Sequence, residues 1–102
     1  MKKYILKQLR ILNQHYQSIG FHIVGVFGSY ARGDEKPSSD LDLVYEIQPS
    51  FTEKFGWSGV MKLEEIKQEI KQELGVDKVD LAPKNTMNKT LRNVLKKELV
   101  YV

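Results

Sequence analysis

Gly28, Ser29, Asp40 and Asp42 fall within fifteen consecutive residues and are of types that handle phosphate and metal ions. A Gly-Ser turn after an apolar segment offers backbone N–H groups to an anion, and the glycine lets a phosphate come close. Asp40 and Asp42 alternate with Leu41 and Leu43, so on a strand the two carboxylates share one face and the leucines the other. Their side chains would start roughly 7 Å apart at a rise of ~3.3 Å per residue. Two unit charges at that distance repel by about 2.4 kcal/mol at an effective dielectric of ~20. Aspartate is also a poor strand residue, so the pair has a physical use where a cation such as magnesium converts repulsion into ligation. Asp80, between Val79 and Leu81, repeats the pattern. If the strands are neighbours in register, Asp40, Asp42 and Asp80 line one face, as two-metal phosphoryl transfer requires. The competing arrangement has Asp40 capping a strand while Asp42 and Asp80 face solvent. Asp77 competes as third carboxylate but follows Gly75 and reads as loop.

The elements that would hold these residues are legible from periodicity. Ile5, Leu9, Leu12, Tyr16 and Ile19 recur at steps of four and three, the mark of an amphipathic helix, with Gly20 placed to end it. "FHIVGVF" reads as a strand buried on both faces, in which Gly25 permits the close approach of another element. "YARG" forms a short helical turn, "DEKPSS" a polar loop and "DLDLVYEI" the second strand. Pro49 opens an aromatic-rich connection holding Phe51, Phe55 and Trp57. Val60, Leu63, Ile66, Ile70 and Leu74 give a helix closed by Gly75. "KVDLA" is a third strand stopped by Pro83, and "TMNKTLRNVLKKEL" a last helix with Met87, Leu91, Val94 or Leu95, and Leu99 on one side. The expected order is α-β-turn-β-α-β-α, a small sheet flanked by helices.

Composition narrows the chemistry further. The 102 residues fit one domain and contain no cysteine, which excludes disulfides, thiolate zinc sites and cysteine nucleophiles and suits a reducing cytoplasm. No apolar run approaches the ~18 residues of a membrane span, and no signal-peptide core precedes the first helix. Sixteen basic and 13 acidic residues leave a formal charge of +3, compatible with anionic ligands without identifying nucleic acid. From Lys84 onward Lys84, Lys89, Arg92, Lys96 and Lys97 face the single acid Glu98, either a solvated helix face or a docking surface for an acidic partner. Gly28 and Gly33 have P-loop spacing, but Asp34 and Glu35 stand where the lysine and hydroxyl residue of a Walker motif belong, and no GxGxxG fingerprint is present. His15 and His22 have no second histidine or cysteine beside them. Phe51, Phe55 and Trp57 read as core or lid packing before a base-stacking platform, and Tyr45 as packing; Tyr101 could serve in an interaction.

Together these residues spell G-S-x10-D-x-D, and "GSYARG…SDLDL" resembles the signature of the minimal nucleotidyltransferase (MNT) family of the DNA polymerase β-like superfamily. "LGVDKVDLAP" is similar to the family's third-carboxylate strand and the closing helix with "LVYV" to its C-terminus. The resemblance thus spans residues 1–102 as a single minimal nucleotidyltransferase domain. Tyr30 occupies a variable position, and Asp34 stands where the family often has glutamate. The resemblance implies an α+β fold, a small mixed β-sheet flanked by helices, that uses ATP as substrate with two magnesium ions. Gly28 and Ser29 would hold the β- and γ-phosphates, Asp40 and Asp42 would bridge both metals, and Asp80 would bind the catalytic metal and help deprotonate the incoming hydroxyl. Arg32 would touch phosphate or tie down the loop. Family members are typically encoded beside a HEPN-domain toxin, so the implied function is that of a cytoplasmic antitoxin. It would transfer AMP from ATP to a tyrosine hydroxyl of a cognate HEPN ribonuclease toxin, releasing pyrophosphate. A non-catalytic antitoxin acting by direct binding, or a nucleotidyltransferase acting on a small molecule or RNA, stay open as alternatives. A chain this short leaves no room for an acceptor-binding domain, so the acceptor is expected to be a protein bringing its own recognition surface, with neither membrane nor nucleic acid as direct ligand.

Overall fold

In the computed structural model, which describes residues 1–102, the first helix α1 (Lys3–Tyr16) buries Ile5, Leu9, Leu12 and Tyr16 along one side. Ile19 lies in the 3-10 turn that follows, and Gly20 reverses the chain at φ +77°. The chain then runs through β1 (Phe21–Phe27), the single-turn helix α2 (Ser29–Arg32) and β2 (Leu41–Ile47), with β1 and β2 antiparallel. Helices α3 (Pro49–Phe55) and α4 (Gly59–Leu74) carry it across to β3 (Val79–Pro83), which lies parallel to β2. Helix α5 (Lys89–Glu98) and the two-residue strand β4 (Val100–Tyr101) complete a mixed four-stranded sheet of order β3-β2-β1-β4. No helix is long and apolar enough to cross a membrane.

Four elements differ from the periodicity reading, the first being β4, a fourth strand after the last expected helix. Pro49–Phe55 is a helix and not an irregular connection, because a proline at N1 has the right φ and no N–H to leave unsatisfied. Val60 is exposed although it keeps helical step with Leu63 and Ile66. Met87 stands outside α5 and is exposed; the helix starts after Asn88, whose side chain accepts a hydrogen bond from Leu91 N at 3.0 Å.

The alternation of the strands divides the core. Ile23, Val26, Leu41, Leu43 and Val79 point to the face covered by α1 and α4, where they meet Leu9, Leu12, Ile66 and Ile70. Each such side chain contributes about 1.5–3 kcal/mol by leaving water. Val24 and Val44 point to the opposite face and pack under Leu95, with Leu91, Leu99 and Phe27 around them. The backbone register shifts between Ile23 and Gly25. Here Asn13 of α1 takes the place of a strand neighbour: its amide donates to Ile23 O at 2.9 Å and accepts from Ile23 N at 2.7 Å. Gly25 is required where β4 and the end of α5 press on β1, since a Cβ there would lie 2.6 Å from both Leu99 Cδ1 and Val100 O.

Candidate active site

On β2, Asp42 shares its face with Val44, the face opposite the main core. The parallel pairing sets Asp42 directly beside Asp80 of β3, just as Leu41 pairs with Val79 and Leu43 with Leu81. The sheet therefore brings these two carboxylates together while their leucine and valine neighbours enter the core. Asp40, just before β2, is half-exposed like Asp80. The Gly28–Ser29 turn leaves β1 at the position where Phe27 pairs with Asp42. At φ +76° and ψ −155°, Gly28 adopts a backbone conformation closed to other residues, and a Cβ there would collide with the Asp42 carboxylate. The glycine turn and Asp42 are thus in contact.

Burial pushes the Asp42 carboxyl up to about 6, helped by the negative charges of Asp80 and Asp40 and opposed by Lys78 and Arg32. A desolvated carboxyl held beside two others is a group that gains from a cation. The donors are oxygen-only and anionic, in kind the set that suits magnesium. As they stand the acidic side chains do not close on an ion. Instead Lys78 reaches between them, its Nζ 3.6 Å from Asp40 Oδ2 and 4.0 Å from Asp80 Oδ1. The periodicity reading passed over Lys78, although "KVD" places it on the same side as Asp80 by the alternation that relates Asp40 to Asp42.

Arg32, at the end of α2, directs its guanidinium away from a free position. Nε pairs with Asp34 Oδ2 at 3.2 Å, and Nη1 meets both oxygens of Glu98 at 3.0 and 3.1 Å. It thereby fastens the loop after Gly28 to the C-terminal end of α5. The surrounding cavities lie elsewhere: none is lined by Gly28, Asp40, Asp42 or Asp80, so the carboxylates stand on an open face. Of the aromatic residues, Phe51 is buried and meets Phe55 at 4.8 Å, and Tyr45 stacks on Phe21 at 5.5 Å. Trp57 is fully exposed and belongs to no core. His15 and His22 are exposed, with His15 against Tyr16.

Comparison with known proteins relates the chain as a whole to a family. The family model described as "Nucleotidyltransferase domain" matches residues 5–102. The "Protein adenylyltransferase MntA" of Thermococcus cleftensis is 31% identical over 98 residues, covering 90% of this chain and 89% of that protein. A solved structure named "putative minimal nucleotidyltransferase" superposes with a TM-score of 0.73 at 24% identity, over 98% of this chain and 94% of the other. A chain of a toxin–antitoxin structure containing AMP-PNP superposes with a TM-score of 0.61 at 17% identity, over 99% of this chain and 72% of the other. At those identities the two structures attest the fold, and with the family match running from α1 to the last residue, this chain belongs to the nucleotidyltransferase domain family.

Proposed function

We propose that this nucleotidyltransferase transfers AMP from ATP to a tyrosine hydroxyl of a cognate HEPN ribonuclease toxin and so acts as its antitoxin. The observation that carries the reading is the contact of the Gly28 turn with Asp42, itself in register with Asp80, which supports taking the turn as the phosphate cradle of a site that includes the carboxylates. A protein acceptor is supported by the name of the Thermococcus relative and by the toxin–antitoxin structure that shares the fold. It is supported as well by the open face on which the carboxylates stand, which a partner would have to cover.

In this reaction the acceptor oxygen forms a bond to the α-phosphorus of ATP. The bond from that phosphorus to the oxygen bridging to the β-phosphate breaks, pyrophosphate departs, and the acceptor proton passes by way of Asp80 to solvent. Gly28 and Ser29 hold the β- and γ-phosphates, and Gly28 does so because its missing Cβ keeps the turn against Asp42. Asp40, Asp42 and Asp80 are the residues that would hold two magnesium ions, which when bound supply charge stabilisation for the pentavalent phosphorus and a more acidic acceptor hydroxyl. Arg32 fixes the turn in place through Asp34 and Glu98.

The test is the intact mass of the toxin from the adjacent reading frame after incubation with this protein, ATP and magnesium, beside the Asp40→Asn/Asp42→Asn version. Mass gained in whole AMP units, with intact aspartates only, is the expected result. A toxin silenced equally by both versions without any gain would replace the enzyme reading with neutralisation by contact, and AMP on a soluble acceptor without the toxin would move the reaction to a small molecule or RNA.

A further inference from the structure

Helix α5 carries Lys89, Arg92, Lys96 and Lys97 and one acid, Glu98. On an ordinary solvated helix such cations find acids one turn away, as on α4, where Lys62 pairs with Glu65 and Lys67 with Glu64. On α5 no cation has a partner, because Glu98 is turned to the guanidinium of Arg32. The sequence makes this imbalance and the tertiary structure completes it. Lys89, Arg92 and Lys96 recur at steps of three and four and so follow one side of the helix.

That side borders a groove of about 250 Å³ between α5 and the sheet. Arg92 and Lys96 supply its unpaired cationic rim, Lys84 beside them is held by Glu46 at 3.7 Å, and Val44, Leu95 and Leu99 form its apolar floor. The groove opens on the face of the sheet that bears the carboxylates, since Val44 lies two residues from Asp42 along β2 with its side chain on the same side. Cationic rim, apolar floor and adjacency to the reacting groups are what an acidic polypeptide segment with an aromatic or aliphatic anchor would fit.

We propose that this groove docks the acceptor protein, and that the segment presenting the acceptor hydroxyl is acidic. The proposal rests on the reading above that the acceptor is a protein, and it adds where the acceptor binds and what chemistry it must have. Long-range attraction to Arg92 and Lys96 brings the segment to the face where Asp42 and Asp80 stand, and the apolar floor sets its position.

The probe is a random Glu/Tyr copolymer, acidic and rich in tyrosine hydroxyls, whose binding is measured by anisotropy at low and moderate salt. The Arg92→Glu/Lys96→Glu protein should bind it at least tenfold more weakly. A Lys3→Glu/Lys7→Glu protein, with the same change of net charge on α1, should bind within about twofold of the original. ATP affinity should be unchanged in both, and thermal melts confirm that these exposed substitutions leave the fold intact. Equal weakening by both pairs would overturn the proposal in favour of a net-charge effect. Loss of ATP affinity in the α5 pair would make the groove part of the nucleotide site, and tighter binding of a thymidine oligonucleotide than of the copolymer would make it a nucleic-acid surface. AMP transfer separates this proposal from the one it rests on. Copolymer binding through Arg92 and Lys96 with no AMP transferred to the toxin leaves the docking groove standing and the transferase reading fallen. Transfer to the toxin at equal rate by the α5 pair does the reverse.

Discussion

At Gly28 the backbone takes φ +76° and lies against the Asp42 carboxylate, so any side chain there adds strain and displaces the acid. Gly28→Ala should lower stability by about 1–3 kcal/mol and AMP transfer at least about a hundredfold; a melt and a transfer assay on the same sample check it. Near-wild-type transfer would separate the turn from the site. Asp42 itself makes a second prediction. Its carboxyl is raised from 3.8 to about 6, chiefly by burial, so the folded state is penalised where the group must be charged. The penalty is absent below about pH 4, grows as pH rises towards 6, and is complete above 6. A shift of that size on a fully buried group is worth about 3 kcal/mol; for this half-buried one about 1 kcal/mol is the better figure. Asp42→Asn should therefore be more stable than the original by about that amount at pH 8 in metal-free buffer, and the gain should vanish towards pH 4. Denaturant titrations at both pH values measure it, and a gain independent of pH would show that charge is not its source.

The elements are held at points that periodicity does not reveal. Strand β1 has β2 along one edge, but β4 reaches only Gly25 and Val26 on the other. Asn13 of α1 serves the backbone of Ile23 beyond that limit with two short hydrogen bonds. Asn13→Ala should cost about 2 kcal/mol, because the N–H and C=O of a buried residue lose their partners. Leu at the same position should not recover the loss, and chemical denaturation of the two variants gives the comparison. Tyr16 links α1 to α4 in a similar way, donating to Glu69 at 3.0 Å, and burial with that neighbouring carboxylate pushes its phenol well above the usual range. The amphipathic pattern of α1 announced its apolar stripe; the two polar clasps could not be paired without the fold, since Asn13 is ten residues from Ile23 and Tyr16 fifty-three from Glu69.

For the whole molecule, both core clusters are built on the same two strands: Ile23 and Val26 face one way from β1 while Val24 faces the other, and Leu43 and Val44 divide likewise on β2. Neither cluster survives loss of the other's strands. Unfolding should then be one transition, with the near-ultraviolet signal of the tyrosines and the far-ultraviolet signal of the helices coinciding in denaturant; separated midpoints would mean that α5 and its small cluster melt alone. Trp57, Val60 and Met61 stay exposed outside either cluster, so of the stripe that helical spacing drew through Val60 the structure buries Ile66, Ile70 and Leu74 and leaves the first member in solvent. The step-of-four rule identifies a face of the helix, but whether another element arrives to cover its first turn is a matter of tertiary packing.

Local rules decided much of this protein before folding. Alternation set Asp42 on one side of a strand and Leu41 and Leu43 on the other, with Asp40 just before it, helical steps drew α1, α4 and α5, and Gly20 and Gly75 marked where the first two stop. These features depend on neighbours two to four residues apart, where backbone geometry is fixed. The tertiary structure alone decided the register that sets Asp42 beside Asp80 and the contact of Gly28 with Asp42. It also decided that Lys78 lies between the acids and that Glu98 turns to Arg32, leaving the cations of α5 unpaired. Those outcomes join residues far apart in the chain, and their geometry follows from how the strands pair and the helices pack.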